Sequence, residues 1–387
     1  MARRIVIIGS GMAGISLVRE LRRLDGQAEI VLLSRESGDF YSKPALSNAL
    51  AGGKSAASLV LTPAARLAQD LRVRIVGGTE VSAVDTGAKT VHAAGGAWVY
   101  DALVLAVGAS QRSLPMAAAG AVLSVNNLSD YARLRERLEG ARCVAIIGAG
   151  LIGCEFANDL RLAGIDVDVY DVAEQPLGRL LPAQAAALFR QRLELAGIRF
   201  YLGTSLVRID PADRGHVLTS GTGATARYDL VLSAIGLQPN VALARDAGLA
   251  VGAGIRTDRL LRSSAADVYA LGDCAEVEGL VLPYVLPITH GVKALARTLL
   301  GQPTQVCYPA MPVVVKTPAC PAVVCPPPVA GGAWSVSVES DGLRGIHHGS
   351  DSQAMDGFVL LGSHVKERMS LAARMPGPLL GSELAPA

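Results

Sequence analysis

The stretch that most limits what this chain can fold into is Gly148-Ala-Gly-Leu-Ile-Gly153. Four apolar residues, Val144-Ala-Ile-Ile147, lead into it, and a helical pattern begins at once in Leu151-Ile-Gly-Cys-Glu-Phe-Ala-Asn-Asp-Leu160. Strand, Gly-x-Gly-x-x-Gly turn and helix in direct succession form a dinucleotide-binding beginning. The first glycine permits the turn, the second the approach of a pyrophosphate, and the third close packing of helix on strand. Phosphates at that helix N-terminus meet free N–H groups and the positive end of the helix dipole. The same figure occurs earlier, as Gly9-Ser10-Gly11-Met12-Ala13-Gly14 after the apolar run ending at Ile8. One such turn is weak evidence, whereas two in one chain are strong.

A length of 387 residues allows two or three domains at roughly 100–200 residues each. Apolar content of 50% with 18% charged residues describes a globular chain with ample core. A formal charge of +2 excludes a general basic field for nucleic acid. No apolar run approaches the ~18 residues of a membrane span. Met1-Ala-Arg-Arg4 runs directly into a strand, which argues against a signal peptide. The six cysteines include no Cys-x-x-Cys pair, so neither a metal site nor a secreted disulfide framework is expected. Reduced thiols in a cytoplasmic protein are the plain reading.

Taken in order, Arg4 to Ile8 reads as a buried strand, the next segment as a helix to about Leu24, and Ala28 to Leu33 as a second strand. Where an NAD-type unit places a ribose-binding acid, this unit has Ser34-Arg35-Glu36. Pro44 biases Lys43 toward an extended turn. Thr62-Pro63 reads as an N-cap and first-turn proline for a helix to Leu71. Val73–Val76 and Thr79–Val84 read as strands, and Val91 with Trp98-Val-Tyr100 suggests a small antiparallel sheet. The strand Tyr100-Asp-Ala-Leu-Val-Leu-Ala-Val-Gly108 returns as Tyr228-Asp-Leu-Val-Leu-Ser-Ala-Ile-Gly236, an internal repeat of a domain ending.

The repeat implies one nucleotide unit inserted in the other: an α/β chain with two Rossmann-like domains and a small α+β C-terminal domain. Expected bounds are 1–113 and 245–315 for the first unit, 114–244 for the insertion, and 316–387 for the C-terminal part. Within the insertion, Tyr131 to Leu138 reads as an arginine-rich helix, Pro182 to Leu195 as a helix and Ile198 to Tyr201 as a strand. Asp171, at the end of Val167-Asp-Val-Tyr-Asp171, stands where a carboxylate accepts ribose hydroxyls and repels a 2′-phosphate; NADH is favoured over NADPH. Later, Ala266 to Glu276 reads as a strand ending in Gly272-Asp273, and Val285 to Leu300 contains a helix. The C-terminal part carries strand-like Trp334–Glu339 and Phe358–Leu361 and a helix near Lys366–Arg374. The last dozen residues read as frayed.

These glycine turns, strand–Gly endings and Tyr269-Ala-Leu-Gly-Asp273 together resemble the pyridine-nucleotide oxidoreductases, flavoproteins with two dinucleotide domains. Finer stretches are similar to the rubredoxin–NAD reductase branch: Tyr41-Ser-Lys-Pro44, Leu151 to Leu160, Tyr269 to Val277 and, outside the shared nucleotide motifs, Met311-Pro-Val-Val-Val-Lys-Thr-Pro-Ala-Cys-Pro321. The resemblance implies that NADH reduces bound FAD by hydride transfer, and that FAD passes electrons one at a time to rubredoxin, which can supply an alkane hydroxylase. A ferredoxin reductase of another oxygenase system, or a redox-sensing flavoprotein, stays open. The oligomeric state does not follow from the sequence.

By that resemblance Gly9, Ser10, Gly11, Met12, Ala13 and Gly14 hold the FAD pyrophosphate. Ser34 and Arg35 lie at its adenosine end, Val81 meets adenine through its backbone, Gly108 ends the unit, and Asp273 binds the ribityl chain. Gly148, Gly150, Gly153, Asp171 and Gly236 serve NADH. Lys43 and Glu155 are the residues placed at the reacting rings, Lys43 as a cation that favours reduced flavin and Glu155 beside the nicotinamide. Glu155 can equally be a carboxylate favoured by its helix dipole. Lys316 is read as a second cation near the flavin or a surface lysine, and Val285 as a ring-edge contact or core packing. Cys154 reads as packing. Cys320 and Cys325 are close enough in sequence for a disulfide. Arg133, Arg135 and Arg137 offer a basic rim for an acidic rubredoxin, or a solvated helix face.

Overall fold

The computed structural model describes residues 3–117, 120–328, 331–350 and 354–379. The part of the expected frayed tail beyond Leu379 lies outside the described residues.

The first glycine turn follows a strand, Arg4–Ile8, at the centre of a five-stranded parallel sheet. Its order is Val268–Ala270, Ala102–Leu105, Arg4–Ile8, Glu29–Leu33, Arg74–Val76. The central strands are buried on both faces and read as unbroken apolar runs, as covered parallel strands do. The second turn follows Cys143–Ile147, central in a four-stranded parallel sheet of order Ile198–Tyr201, Asp166–Tyr170, Cys143–Ile147, Leu230–Ser233. In each sheet the strand order reverses at the strand that carries the glycine turn. That reversal opens a crevice at the carboxyl ends of the strands.

The two turns are built alike. Gly9 and Gly148 have φ of +114° and +108°. A Cβ on them would lie 2.1 Å from the Ala106 carbonyl oxygen and 2.5 Å from that of Ala234. Gly14 and Gly153 sit in the following helices, Met12–Leu24 and Leu151–Leu162. A Cβ there would fall 1.9 Å and 1.8 Å from the carbonyl oxygens of Gly9 and Gly148. The fold itself therefore requires the first and third glycines of both turns.

The repeated strand endings are the two crossings between the sheets, and they pair with each other. Ala109–Gln111, just after Gly108, runs antiparallel to Leu237–Pro239, just after Gly236. Both glycines have positive φ, +65° and +101°. The Asn240 amide donates to the Val107 carbonyl at 2.8 Å and its oxygen bonds the Ser110 hydroxyl at 2.7 Å, so the two crossings are tied as one hinge piece.

The C-terminal part is a five-stranded antiparallel sheet of order Val313–Val315, Ala322–Cys325, Met355–Gly362, Gly342–His348, Ala333–Glu339. One face, with Ala322, Val324, Leu343, Val359 and Leu361, joins the core that holds Phe189 and Leu193 of the helix Ala183–Leu195. The other face packs Val323, Cys325, Phe358 and Leu360 under Leu371. Cys320 belongs to the first of these cores and Cys325 to the second, and both thiols are free. Burial pushes each thiol up to about 11. Sequence proximity suggested a disulfide; the sheet separates the two sulfurs.

Other expectations need correction. Lys43 does not sit in an extended turn: it opens a 3-10 helix, Lys43–Asn48, and Pro44 occupies its first turn, where a fixed φ and a missing N–H are harmless. Thr62 is not an N-cap. It ends a short strand, Pro63 takes the cap position of the helix Ala64–Leu71, and the cap bond comes from afar, the Ala64 N–H donating to the Asp39 carboxylate at 2.7 Å. The C-terminal helix is shorter, Arg368–Ala372, after a 3-10 turn Ser363–Glu367. No helix among the described residues is long and apolar enough to cross a membrane.

Gly153→Ala should lower the melting temperature by at least about 5 °C, because its Cβ meets backbone that cannot yield. Gly150→Ala, whose Cβ meets nothing within 4 Å, should melt within about 1 °C of the parent. Differential scanning fluorimetry of the two variants, side by side, decides this; equal melting temperatures would contradict it.

Candidate functional site

The helix Leu151–Leu162 carries the site. Positions 155, 158 and 159 fall at i, i+3 and i+4 and so share one face. An ordinary packed helix would be apolar there, yet Glu155, Asn158 and Asp159 are 2%, 2% and 4% exposed. Buried polar groups must find partners, and these find theirs on two other parts of the chain.

Glu155 accepts a hydrogen bond from the Ser47 hydroxyl at 2.5 Å and from the Lys316 backbone N–H at 3.0 Å. The Lys316 ammonium lies 2.9 Å from the same carboxylate. That ammonium also donates to the Pro44 carbonyl and, at 2.8 Å, to the Asn48 side-chain oxygen. Asn48 returns the contact by donating to the Lys316 carbonyl at 2.8 Å. Asn158 accepts from the Ala319 N–H at 3.0 Å. Asp159 accepts from the Leu50 and Ala51 N–H groups at 2.7 and 3.2 Å. Burial pushes the Asp159 carboxyl up, and those N–H donors pull it back. One helix face thus joins the 3-10 turn of the first unit, the second unit itself and the loop 316–319 of the C-terminal part.

Lys43 opens that 3-10 turn and points to different company. Burial lowers its pKa, and the charge of Asp273 is the largest influence opposing the shift. Burial raises Asp273 in turn, and Lys43 pulls it back. The two attract across a gap, and neither forms an ion pair among the described residues. Asp273 is placed by Gly272, whose φ is +83° and whose Cβ would lie 2.9 Å from that of Ala13. The Gly-Asp strand end therefore rests on the first glycine helix. Val285 starts the neighbouring helix Val285–Leu299 and is 41% exposed, which removes core packing as its role.

The middle glycines test whether a dinucleotide suits these turns. Gly11 and Gly150 have ordinary backbone, φ −65° and −78° with extended ψ, and a Cβ on either would meet nothing within 4 Å. Nothing in the chain requires glycine at either place. A pyrophosphate approaching the backbone does, and the residues fit one at both turns.

The strand ends beyond the turns differ. The Ser34 hydroxyl is 2.6 Å from that of Ser10 and accepts from the Glu36 N–H at 3.1 Å. Asp171 accepts from the Ala149 N–H at 2.6 Å and from the Ala173 N–H at 2.8 Å. A carboxylate offers about four acceptor positions, so about two remain. Arg35 is exposed. Val81 starts the strand Val81–Asp85, and its approach is pinned where Thr79 N–H donates to the Ser34 carbonyl at 2.8 Å. Met12 is half-buried at the first helix start. Cys154 is fully buried, its sulfur 3.4 Å from the Ala149 carbonyl oxygen, in keeping with packing.

The structure brings Glu155 and Lys316 into contact, faces Lys43 toward Asp273, and leaves Arg35 and Val285 at the margin. Of the arginine row, Arg133 pairs with Asp130 at 2.6 Å and Arg135 donates to the Lys54 carbonyl at 2.6 Å. Ser47, Asn48, Asn158 and Asp159 escaped the sequence reading. The available signal was Asn158-Asp159 on a helix face otherwise reserved for the core.

The pyridine nucleotide-disulphide oxidoreductase model matches residues 3–295, and the rubredoxin binding C-terminal domain model matches residues 305–375. The chain belongs to the pyridine nucleotide-disulphide oxidoreductase family. It is 43% identical to a rubredoxin-NAD(+) reductase of Alcanivorax borkumensis, over 96% of this chain and 98% of that one. It is 44% identical to a rubredoxin-NAD(+) reductase of Acinetobacter baylyi, again over 96% and 98%. Among solved structures, the ferredoxin reductase for the CYP199A2 system of Rhodopseudomonas palustris superposes with a TM-score of 0.88 at 26% identity, covering 99% of this chain and 98% of the other.

Asp159→Ala would orphan the Leu50 and Ala51 N–H groups and should destabilise the protein by about 2 kcal/mol. Lys316→Met would leave the Glu155 carboxylate buried without its cation. Because Lys316 is itself over a third exposed, about 2 kcal/mol is expected there too, below the range for a fully buried pair. Urea unfolding measures both, and losses under about 0.5 kcal/mol would contradict the clamp.

Proposed function

We propose that this protein is an NADH-dependent flavoprotein reductase that passes electrons from NADH through FAD, singly, to rubredoxin. The observation that carries the reading is a rubredoxin-binding C-terminal match on a chain whose two glycine turns both leave their middle glycine open to a ligand.

FAD, when bound here, would supply the chemistry that takes the two electrons of a hydride from NADH and gives them up one at a time, the accompanying proton passing to solvent. The residues of this chain hold, orient and shield. The N–H groups after Gly9 would hold the FAD pyrophosphate, with Ser34 and Arg35 at the adenosine end and Val81 beside adenine. Asp273 would accept from ribityl hydroxyls. Lys43, desolvated and lacking an ion-pair partner, is available to a developing negative charge at the flavin ring. Gly148, Gly150 and Gly153 would serve the NADH pyrophosphate, and Asp171 its ribose. Glu155 acts as a positioning residue: with its carboxylate bound to Ser47 and Lys316, it fixes the helix after the second glycine turn against the 3-10 turn of the first unit and the loop of the C-terminal part. Hydride transfer needs such orientation more than an acid or base.

The domain bounds we favour are 1–113 with 245–312 for the first unit, 114–244 for the inserted unit, and a C-terminal part that begins with the strand Val313–Val315, earlier than the expected 316, because that strand pairs with Ala322–Cys325. Six free cysteines suit a reducing compartment, the cytoplasm. Supply of an alkane hydroxylase is the downstream role we favour.

Steady-state turnover with rubredoxin should exceed that with a [2Fe–2S] ferredoxin by at least about tenfold, and NADH should outperform NADPH similarly, about 1.4 kcal/mol of discrimination in each case. Faster ferredoxin reduction would sink the acceptor assignment. Lys43→Met should lower the flavin midpoint potential by about 30 mV, equivalent to about 1.4 kcal/mol for two electrons; an unchanged potential would place Lys43 away from the ring.

A further inference from the structure

The C-terminal sheet holds a second chemical grouping, remote from the dinucleotide turns in sequence and role. The hairpin joining Ala333–Glu339 to Gly342–His348 brings Glu339 and Asp341 to its tip. The 3-10 turn Ser363–Glu367 places His364 beside that tip. One donor atom from each of Glu339, Asp341 and His364 lies within 4.8 Å of the others.

The histidine is the informative member. Its Nδ1 is 2.8 Å from the Glu367 carboxylate, which the Arg344 guanidinium holds at 2.9 Å. This bond fixes the ring plane and turns Nε2 toward the hairpin tip. Nε2 is buried and has no hydrogen-bond partner. It faces the Glu339 carboxylate at 3.7 Å, too far for a hydrogen bond. A buried ring nitrogen left without a hydrogen bond beside a carboxylate is unfavourable by itself. A cation between them would satisfy both. Carboxylate, then imidazole, then metal is the usual outer and inner arrangement of a metal-bound histidine. Asp341 contributes a second exposed carboxylate at the same tip.

We propose that Glu339, Asp341 and His364 form a divalent metal site, with Glu367 as the carboxylate that orients His364. One nitrogen and two carboxylate oxygens suit Zn²⁺, with water completing a tetrahedron. Ligand atoms about 2.0–2.2 Å from Zn²⁺ require the three side chains to close slightly from their present spacing. The exposed hairpin tip can do so by rotamer change. The bound ion would staple the hairpin tip to the 3-10 turn, in the part of the chain matched by the rubredoxin-binding model.

The test is calorimetric titration of the tag-free full-length protein with Zn²⁺, repeated with Co²⁺ to read coordination by visible absorbance. One site is expected, with Co²⁺ absorption of tetrahedral strength. Glu339→Gln with Asp341→Asn, both on exposed side chains, should abolish it. His364→Ala should weaken it at least tenfold. Glu367→Gln, which touches no metal, should weaken it between about tenfold and a hundredfold while leaving stoichiometry unchanged. Absence of binding in the parent, or equal affinity in the parent and the Glu339→Gln/Asp341→Asn protein, would overturn the proposal. Octahedral Co²⁺ absorption that survives His364→Ala would overturn it as well.

Discussion

The buried carboxylate of Glu155 is the constraint on which the arrangement of the three parts depends. At 2% exposure it cannot be left without partners. Its partners, Ser47 and Lys316, come from sequence far on either side. Asn158 and Asp159 extend the same logic along the helix with a second and third clamp. An apolar face could have joined these parts with similar free energy. A polar one accepts a single relative placement, because a small slide leaves donors and acceptors unpaired. That is a reason to put a costly polar interface beside the turn where a nicotinamide has to meet a second ring at contact distance.

The glycine turns show which features answer to the chain and which to a ligand. The first and third glycines of each turn are excluded from other residue types by carbonyl oxygens of the protein itself. Gly11 and Gly150 face open space. The two units then diverge at the next strand end, where Ser34 is absorbed in a hydroxyl pair and Asp171 keeps unused acceptor capacity. The same backbone frame thus carries two chemically different strand ends. In the first unit, Lys43 and Asp273 stay desolvated and only distantly attracted.

Much of this was legible in the residues. Both parallel sheets were visible because buried parallel strands read as continuous apolar runs, and because Gly-x-Gly-x-x-Gly fixes strand, turn and helix at once. The pairing of the two repeated endings was not visible, since antiparallel register between distant segments leaves no mark in either one. The C-terminal sheet was only partly seen. Val313–Val315 and Ala322–Cys325 are short and flanked by prolines, and Gly342–His348 alternates poorly because both its faces are largely buried. Lys43 and Thr62 were misplaced by one local rule each, the extended bias before proline and the preference of threonine for caps. Tertiary bonds from Lys316 to Pro44 and from Ala64 to Asp39 decided those segments instead. Glu155 was singled out from its position after the turn, but its pairing with Lys316 required the fold.

In the proposed function the polar helix face is the device that would set two dinucleotide sites edge to edge, with NADH on one and FAD on the other. The most direct measurement is anaerobic absorbance of the purified protein near the flavin bands. One equivalent of NADH should bleach the yellow colour, and two equivalents of oxidised rubredoxin should restore it. A protein that purifies without flavin, or whose bleached form rubredoxin fails to recolour, would contradict the account.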